Sequence, residues 1–329
     1  MKTKLGFVIV FLLMCETIWA WGDLGHSAVG DIAERNLTPK GKVFVQSILG
    51  VEPLAVAATW PDHVRSDVRF NPFSNYHFLE INKDSFEQMK DEDRQLQDSH
   101  TIVEHAEEVL LGTKLNKNQK MIFLKYFIHI VGDVHQPLHL GNIGDKGANL
   151  CDVRVGESKM NLHSVWDSKI IDLMFAEDSK KKEVYYPQLT AIILAEFKEP
   201  PTIKGTPLQW YDETRKLLPS VYPDKQPTLP ANRTYCKLVD PDTHKTTNGK
   251  YDEKTLPTLD EAYIASAKSI IKKQIWLGGY RLAYLLNQMA EKYQSDPNND
   301  LDEKTLLEGV LIKNKPSSTR KPSSKSIHK

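Results

Sequence analysis

The sequence predicts a mainly helical, all-α protein on three observations. From Gln119 to His139, QKMIFLKYFIHIVGDVHQPLH, apolar residues recur at helical spacing: Ile122, Tyr126 and Phe127, then Ile130 and Val131. From Leu259 to Glu291 a longer helix carries Ile271, Ile275, Leu282, Leu285, Leu286 and Met289 in the same manner. The 329 residues are 40% hydrophobic and 26% charged, which suits one large globular domain or two small ones with ample core.

Taken in order, residues 1–20 read as a signal peptide. Met1–Lys4 is a basic start, Leu5–Met14 an apolar run, and Ile18-Trp19-Ala20 a cleavage site. The run is shorter than the roughly 20 residues a membrane span needs. The mature chain then begins WGDLGH at Trp21 and is secreted, extracellular or, in a bacterium, periplasmic. Its only cysteines are Cys151 and Cys236, and spacing leaves one disulfide and two free thiols equally open. Asn36 and Asn232 stand in glycosylation sequons.

Ser27–Glu34 reads as a helix, and Thr38-Pro39 opens the next. In Thr59-Trp60-Pro61-Asp62, Asp62 could cap the following turn, with Arg65 three residues on. Asn75 to Glu80 is an aromatic loop after Pro72, carrying His77, Phe78 and Glu80. Lys83–Leu111 is charged and helical in pattern, and His100 and His105 are expected in solvent, because a five-residue interval suits no common metal pairing on a helix. In the central helix His129 and Asp133 lie four apart and share a face. Pro137 ends that helix and lets His139 swing back towards the same face.

Gly141–Asn149, GNIGDKGAN, is a loop whose glycines let backbone approach a ligand. His163 and Asp167 repeat the His-x-x-x-Asp spacing on a second helical segment. Glu183–Ala195 and Leu208–Leu218 read as helices, and Pro219–Pro257 as a long surface excursion. Gly278-Gly279 in the last long helix is expected to pack closely against the central one. Residues 295–329 form a polar extension with a short helix at Leu301–Ile312, basic and disordered on composition from 313.

Charge excludes one class of function. Lys+Arg and Asp+Glu both total 43, but the body from Trp21 to Glu308 holds 35 basic and 42 acidic residues, a net −7. That argues against a broad basic footprint on nucleic acid.

A lone His-x-x-x-Asp is more often a satisfied core pair than a ligand set. Two such pairs, with other ligands at hand, reverse that balance. The Trp21 amine and carbonyl, His26, Asp62, His77, His129, Asp133, His139, His163 and Asp167 form a nitrogen and oxygen set without thiolates. Such a set suits Zn²⁺ and is large enough for three ions if one carboxylate bridges.

The motifs WGxxGH, TWPDxxR, YHF, HxxGDxHQPLH, GAN and NLHxVWD, with WLGGYRLAYLLN, run in order from Trp21 to Asn287. In these the chain resembles the S1/P1 nuclease family, secreted zinc enzymes related in fold to bacterial phospholipase C. The resemblance implies one nuclease domain over residues 21–294 with long loops around a trinuclear zinc cleft. Asp62, His77, His129 and Asp133 would hold one zinc. Trp21, His26 and the other oxygen of Asp133 would hold a second, and His139, His163 and Asp167 a third, more open one. His135 is expected behind the ligands.

The resemblance also implies catalytic roles for Arg65, Asp62 and Asp133, stacking of a base on Phe78, and substrate contacts from Glu80 and Asn149. The activity implied is hydrolysis of single-stranded DNA and RNA to 5′-phosphate products, with 3′-nucleotidase activity. The implied protein is a monomer without membrane anchoring or a protein partner. Ala148 stands where the family usually has glycine, and Glu80 where it often has aspartate, so both bear on base preference. A zinc phospholipase C and a non-catalytic zinc- or nucleotide-binding protein are the alternatives; Phe78, Asn149 and the Asp62-x-x-Arg65 spacing favour the nuclease.

Overall fold

The backbone of the central helix α7, Lys117–Asp133, starts at a capping box. Asn116 accepts from the Gln119 N–H, and the Gln119 side chain accepts from the Asn116 N–H, each at 3.0 Å. The helix is buried from Leu124 to Asp133 without interruption. Only a helix enclosed by other elements can carry Lys125, His129 and Asp133 inside. Lys125 is met by Glu52 at 2.8 Å; the histidine and the aspartate belong to the site.

The computed structural model describes residues 21–70, 77, 99–175, 185–225, 233–240, 243 and 245–294. The signal peptide, Phe78, Glu80, Asn232, the first part of Lys83–Leu111 and the 295–329 extension lie outside the described residues. Around α7 run α1 (Asp23–Arg35), α2 (Pro39–Leu49), α3 (Leu54–Ala57), α4 (Trp60–His63), α5 (Ser99–Glu104) and α6 (Ala106–Leu111). After it come a hairpin of β1 (Asp152–Val155) and β2 (Ser158–Asn161), then α8 (Leu162–Ser164), a π-turn over Val165–Lys169 and α9 (Ile170–Asp172). The remaining elements are α10 (Tyr186–Glu196), α11 (Pro207–Arg215), α12 (Leu218–Val221), a two-residue pairing of β3 (Leu238–Val239) with β4 (Thr246–Thr247), and α13 (Glu261–Lys292). The fold is therefore mostly helical, as the periodicity predicts.

Local chemistry sets the helix starts. Thr38 caps α2 by accepting from Gly41 N–H, and Pro39 takes the first helical position, where a missing N–H is harmless. Asp260 caps α13 through the Tyr263 N–H at 2.7 Å. Along α13, Ile271, Ile275, Leu282 and Leu286 are fully buried, each contributing roughly 1.5–3 kcal/mol of transfer free energy. Gly279 packs against α1 rather than the central helix, because a Cβ there would meet Ile32 Cβ at 2.5 Å. Gly278 faces Val29 and the His135 ring.

Three further expectations are corrected. His100 is buried, 3.3 Å from Glu104 and edge-on to Tyr211, because α11 covers this part of α5; His105 is exposed. The second half of Lys83–Leu111 is two helices broken at His105. Pro219–Pro257 is not wholly a surface excursion, since Tyr222, Arg233, Tyr235, Cys236 and Leu256 are buried. Its anchor is the disulfide between Cys151 and Cys236, residues 85 apart in sequence and joined also by a backbone bridge.

Closing so long a loop restricts the unfolded chain. The double variant Cys151→Ala/Cys236→Ala should lose about 2–5 kcal/mol of stability, read as a lower Tm than the oxidised parent. An unchanged Tm would contradict the anchoring role.

Candidate metal centre

Eight side chains singled out in the sequence converge on the C-terminal end of α7. Its last turn presents His129 and Asp133 inward, four residues apart. Asp133 sits between two groups of imidazoles. Its Oδ1 lies 3.2 Å from His26 Nε2, and its Oδ2 lies 3.2 Å from His129 Nε2 and 3.6 Å from His77 Nδ1. Asp62 on α4 closes the second group, with Oδ1 at 3.7 Å from both His77 Nδ1 and His129 Nε2.

After α7 the chain breaks into a 3₁₀ turn, Pro137–Leu140, which carries His139 back to 3.5 Å from Asp133 Oδ1. The segment Leu162–Lys169 then places His163 Nε2 at 3.2 Å from Asp167 Oδ2, with His139 Nε2 at 4.0 Å from Asp167 Oδ1. Three groups therefore present ligand atoms within 4.8 Å of one another: His26, His129 and Asp133; Asp62, His77 and His129; and His139, His163 and Asp167. Asp145, Cys151 and Cys236 are equally close, but both sulfurs are spent in the disulfide.

Trp21 is buried at the meeting point of two of these elements. Its indole Nε1 donates to the Gly132 carbonyl at 2.8 Å, and the next residue, Gly22, donates its N–H to the Asp167 carbonyl at 2.8 Å.

Backbone carbonyls fix which imidazole nitrogen faces inward. His129 Nδ1 meets the Ala58 carbonyl at 2.7 Å, His139 Nδ1 the His77 carbonyl at 3.0 Å, and His163 Nδ1 the Gly147 carbonyl at 2.6 Å. A carbonyl only accepts, so each Nδ1 carries a hydrogen and each Nε2 is turned to the centre, where His129 Nε2 also meets His77 Nδ1 at 2.9 Å. His135 differs. Its Nδ1 donates to the Val131 carbonyl and its Nε2 faces Arg281 at 3.1 Å, which uses both nitrogens and keeps it out of the ligand set.

The polar atoms left over fit a cation. Both nitrogens of His26, both oxygens of Asp62 and of Asp133, His163 Nε2 and Asp167 Oδ2 are buried and make no hydrogen bond among the described residues. Leaving so many polar atoms unsatisfied in one place is costly unless something else binds them. Nitrogen and oxygen donors without thiolate suit a divalent ion of the zinc type.

The protonation states agree. Burial and the neighbouring His129 push His26 below the usual histidine range. Burial alone leads in lowering His77, takes His139 to about 3 and His163 to about 4, and so keeps these rings neutral. Burial opposes charge at His129 as well, yet Asp133 and Asp62 outweigh it and lift the ring to about 9. Burial likewise opposes the Asp133 charge, but His129 and His139 hold it well below the carboxylate range. Asp167 is pushed well above that range by burial, then by Asp133 and Asp62. One retained imidazole proton thus serves several carboxylates, a poor substitute for the charge of metal ions.

The other expected site residues are placed unequally. Arg65 lies one turn beyond Asp62, and its charge lowers both His163 and Asp167. Asn149 donates from Nδ2 to the Lys146 carbonyl at 2.8 Å, with Oδ1 buried and without a hydrogen bond among the described residues. Asp62 is no helix cap, because its carboxylate turns into the cluster. Gln136 was not singled out in the sequence. It is buried and donates from Nε2 to Asp167 Oδ1 at 2.6 Å, while its own oxygen accepts from Leu138 N–H at 2.6 Å. The signal that could have found it was an amide placed between Asp133 and the helix-ending Pro137.

The S1/P1 nuclease family model matches residues 21–291. The chain belongs to the S1/P1 nuclease family. It is accordingly a nuclease, an enzyme that hydrolyses phosphodiester bonds. Among its relatives, Endonuclease 1 of Arabidopsis thaliana is 28% identical, over 88% of this chain and 93% of that protein. Nuclease P1 of Penicillium citrinum is 26% identical over 82% of this chain and 97% of its own length. Nuclease S1 of Aspergillus oryzae is 31% identical over 48% of this chain and 57% of its own.

Gly132 gives this S1/P1 nuclease a sensitive point. A Cβ at 132 would lie 2.8 Å from His26 Nδ1, and the His26 ring is fully buried. Gly132→Ala should push His26 off Asp133 and lower the divalent metal bound per chain, measured by elemental analysis, while circular dichroism keeps its helical signal. Wild-type metal content would contradict this placement of His26.

Proposed function

We propose that the chain is a secreted, zinc-dependent nuclease that cuts single-stranded DNA and RNA to 5′-phosphate products and also acts as a 3′-nucleotidase. Three zinc ions would be held. Asp62, His77, His129 and Asp133 would bind the first, and the Trp21 amine and carbonyl, His26 and Asp133 the second. His139, His163 and Asp167 would bind the third. The observation that carries the reading is Asp133, whose two buried oxygens face different imidazole groups at 3.2 Å each.

Zinc, when bound, lowers the pKa of water towards ~7 and polarises phosphoryl oxygens. The chain's own residues supply the rest. The carbonyls of Ala58, His77 and Gly147 turn the Nε2 of His129, His139 and His163 towards the metals; His139 and His163 are already neutral, and His129 gives up its extra proton when a metal binds. Arg65, on the rim beside Asp62, can donate to equatorial oxygens of the phosphate. Phe78 would stack on a base, and a base can offer its ring face only when unpaired, so single strands are preferred. Asn149 and Glu80 would bind the same base. The acidic body fits a substrate gripped at one or two nucleotides by metal and stacking rather than along a basic track. The leader and the disulfide support secretion.

The test is metal analysis of purified mature protein joined to assays on single-stranded DNA, duplex DNA and phosphatidylcholine, before and after chelation. The expected result is about three zincs per chain, with single-strand cleavage lost on chelation and restored by zinc. About one zinc per chain, or phosphatidylcholine as the preferred substrate, would overturn the proposal.

A further inference from the structure

Beneath the loop that follows the 3₁₀ turn lies a buried carboxylate that coordinates nothing in the reading above. Asp145 is fully buried and belongs to none of the three ligand groups. Its Oδ1 accepts from the Ala148 N–H at 2.9 Å, and its Oδ2 accepts from the Tyr222 hydroxyl at 2.9 Å. Arg233 stands 3.7 Å from Oδ2, and Cys151 Sγ touches the same oxygen at 3.5 Å. That sulfur is in the disulfide and donates nothing, so the contact is one of packing.

The backbone held by this carboxylate is strained. Lys146, Gly147 and Ala148 have φ of 52°, 57° and 64°, three left-handed residues in succession, of which only one is glycine. Such a run persists only where its surroundings over-determine it. Asp145 does this from both ends, through its side chain to the Ala148 N–H and through its carbonyl to the Leu150 N–H at 3.1 Å.

The strained segment touches two of the three groups at the more open site. The Gly147 carbonyl orients His163 through Nδ1 at 2.6 Å. Gly147 also lies against the 3₁₀ turn that carries His139, where a Cβ would meet the Leu138 oxygen at 2.3 Å. Asn149 is tied to the same loop through the Lys146 carbonyl at 2.8 Å.

We propose that Asp145 is a positioning residue for the His139–His163–Asp167 metal site, holding the 146–149 loop in the left-handed form that orients His163 and presents Asn149. Tyr222 and Arg233 hold Asp145 in turn, and the Cys151–Cys236 bond binds their segment to the loop. The inference rests on the reading of His163 as a metal ligand. It explains why two non-glycine residues keep an unfavourable backbone at this point, and why Tyr222 and Arg233, remote in sequence, pack against Asp145.

The test uses full-length mature protein and three variants: Asp145→Ala, Asp145→Asn and Tyr222→Phe. Zinc per chain is measured at equilibrium against graded chelator, beside kcat and KM on a short single-stranded substrate and thermal stability. In Asp145→Ala the most loosely held zinc should bind at least tenfold more weakly, with the other two unchanged and KM raised. Tyr222→Phe and Asp145→Asn should shift the same zinc in the same direction by less, which keeps the test open if Asp145→Ala does not fold. Three zincs of wild-type affinity in the folded variants would overturn the inference alone. Equal weakening of all three zincs together with lost stability would mark a merely structural role and overturn it too. A wild-type protein lacking the third zinc would overturn both the metal reading and this inference.

Discussion

The carboxylate of Asp133, buried at the end of a buried helix and facing imidazoles on two sides, is the constraint on which the rest depends. A charge in that position is tolerable only with opposite charge at close range. The protein alone offers one retained proton, on His129, for the Asp133 and Asp62 carboxylates. Ions placed between Asp133 and the imidazoles would satisfy the carboxylates and the unpaired ring nitrogens together. The scaffold is therefore built to bring carboxylates and imidazoles face to face at 3.2–3.7 Å.

Helix packing does that work through short-range contacts. Trp21 is pinned to the Gly132 carbonyl, and the absence of a side chain at Gly132 lets His26 stack on His129 with ring centroids 3.9 Å apart. On the far side α13 closes over α1 at Gly279 and reaches His135 with Arg281, whose guanidinium also pairs with Glu213 and covers Trp210. The turn at Pro137 supplies His139, and Gln136 spends its amide on Asp167 so that one carboxylate oxygen remains for the site. His129, His139, His163 and Asp167 are thus each held by a second contact that costs them no inward-facing atom.

Much of this was legible in the sequence because the relevant rules are local. Four-residue spacing on a helix gives His129–Asp133 and His163–Asp167 a common face, and a proline two residues before His139 forces the return of the chain. Long apolar periodicity gave α7 and α13, and the Thr38-Pro39 cap marked α2. What was not legible depends on distant residues. His100 reads as a surface histidine until α11, more than a hundred residues later, brings Tyr211 over it. The pairing of Cys151 with Cys236, the burial of Arg233 and Tyr235 in a polar stretch, and the packing of Gly278-Gly279 on α1 have no local signature. The orienting carbonyls of Ala58, His77 and Gly147 are invisible to any reading by side-chain type.

The most direct test of the central claim compares two isosteric changes, Asp133→Asn and Asp167→Asn, by zinc stoichiometry and anomalous scattering beside the parent protein. Each keeps side-chain size and removes one negative charge with one good metal oxygen. If Asp133 bridges two metals, Asp133→Asn loses at least one zinc of the close pair and nearly all activity, while the His139–His163–Asp167 site stays filled. Asp167→Asn does the reverse, emptying that site and sparing the pair. Three zincs and near-normal turnover in Asp133→Asn would contradict the bridging role and the account built on it.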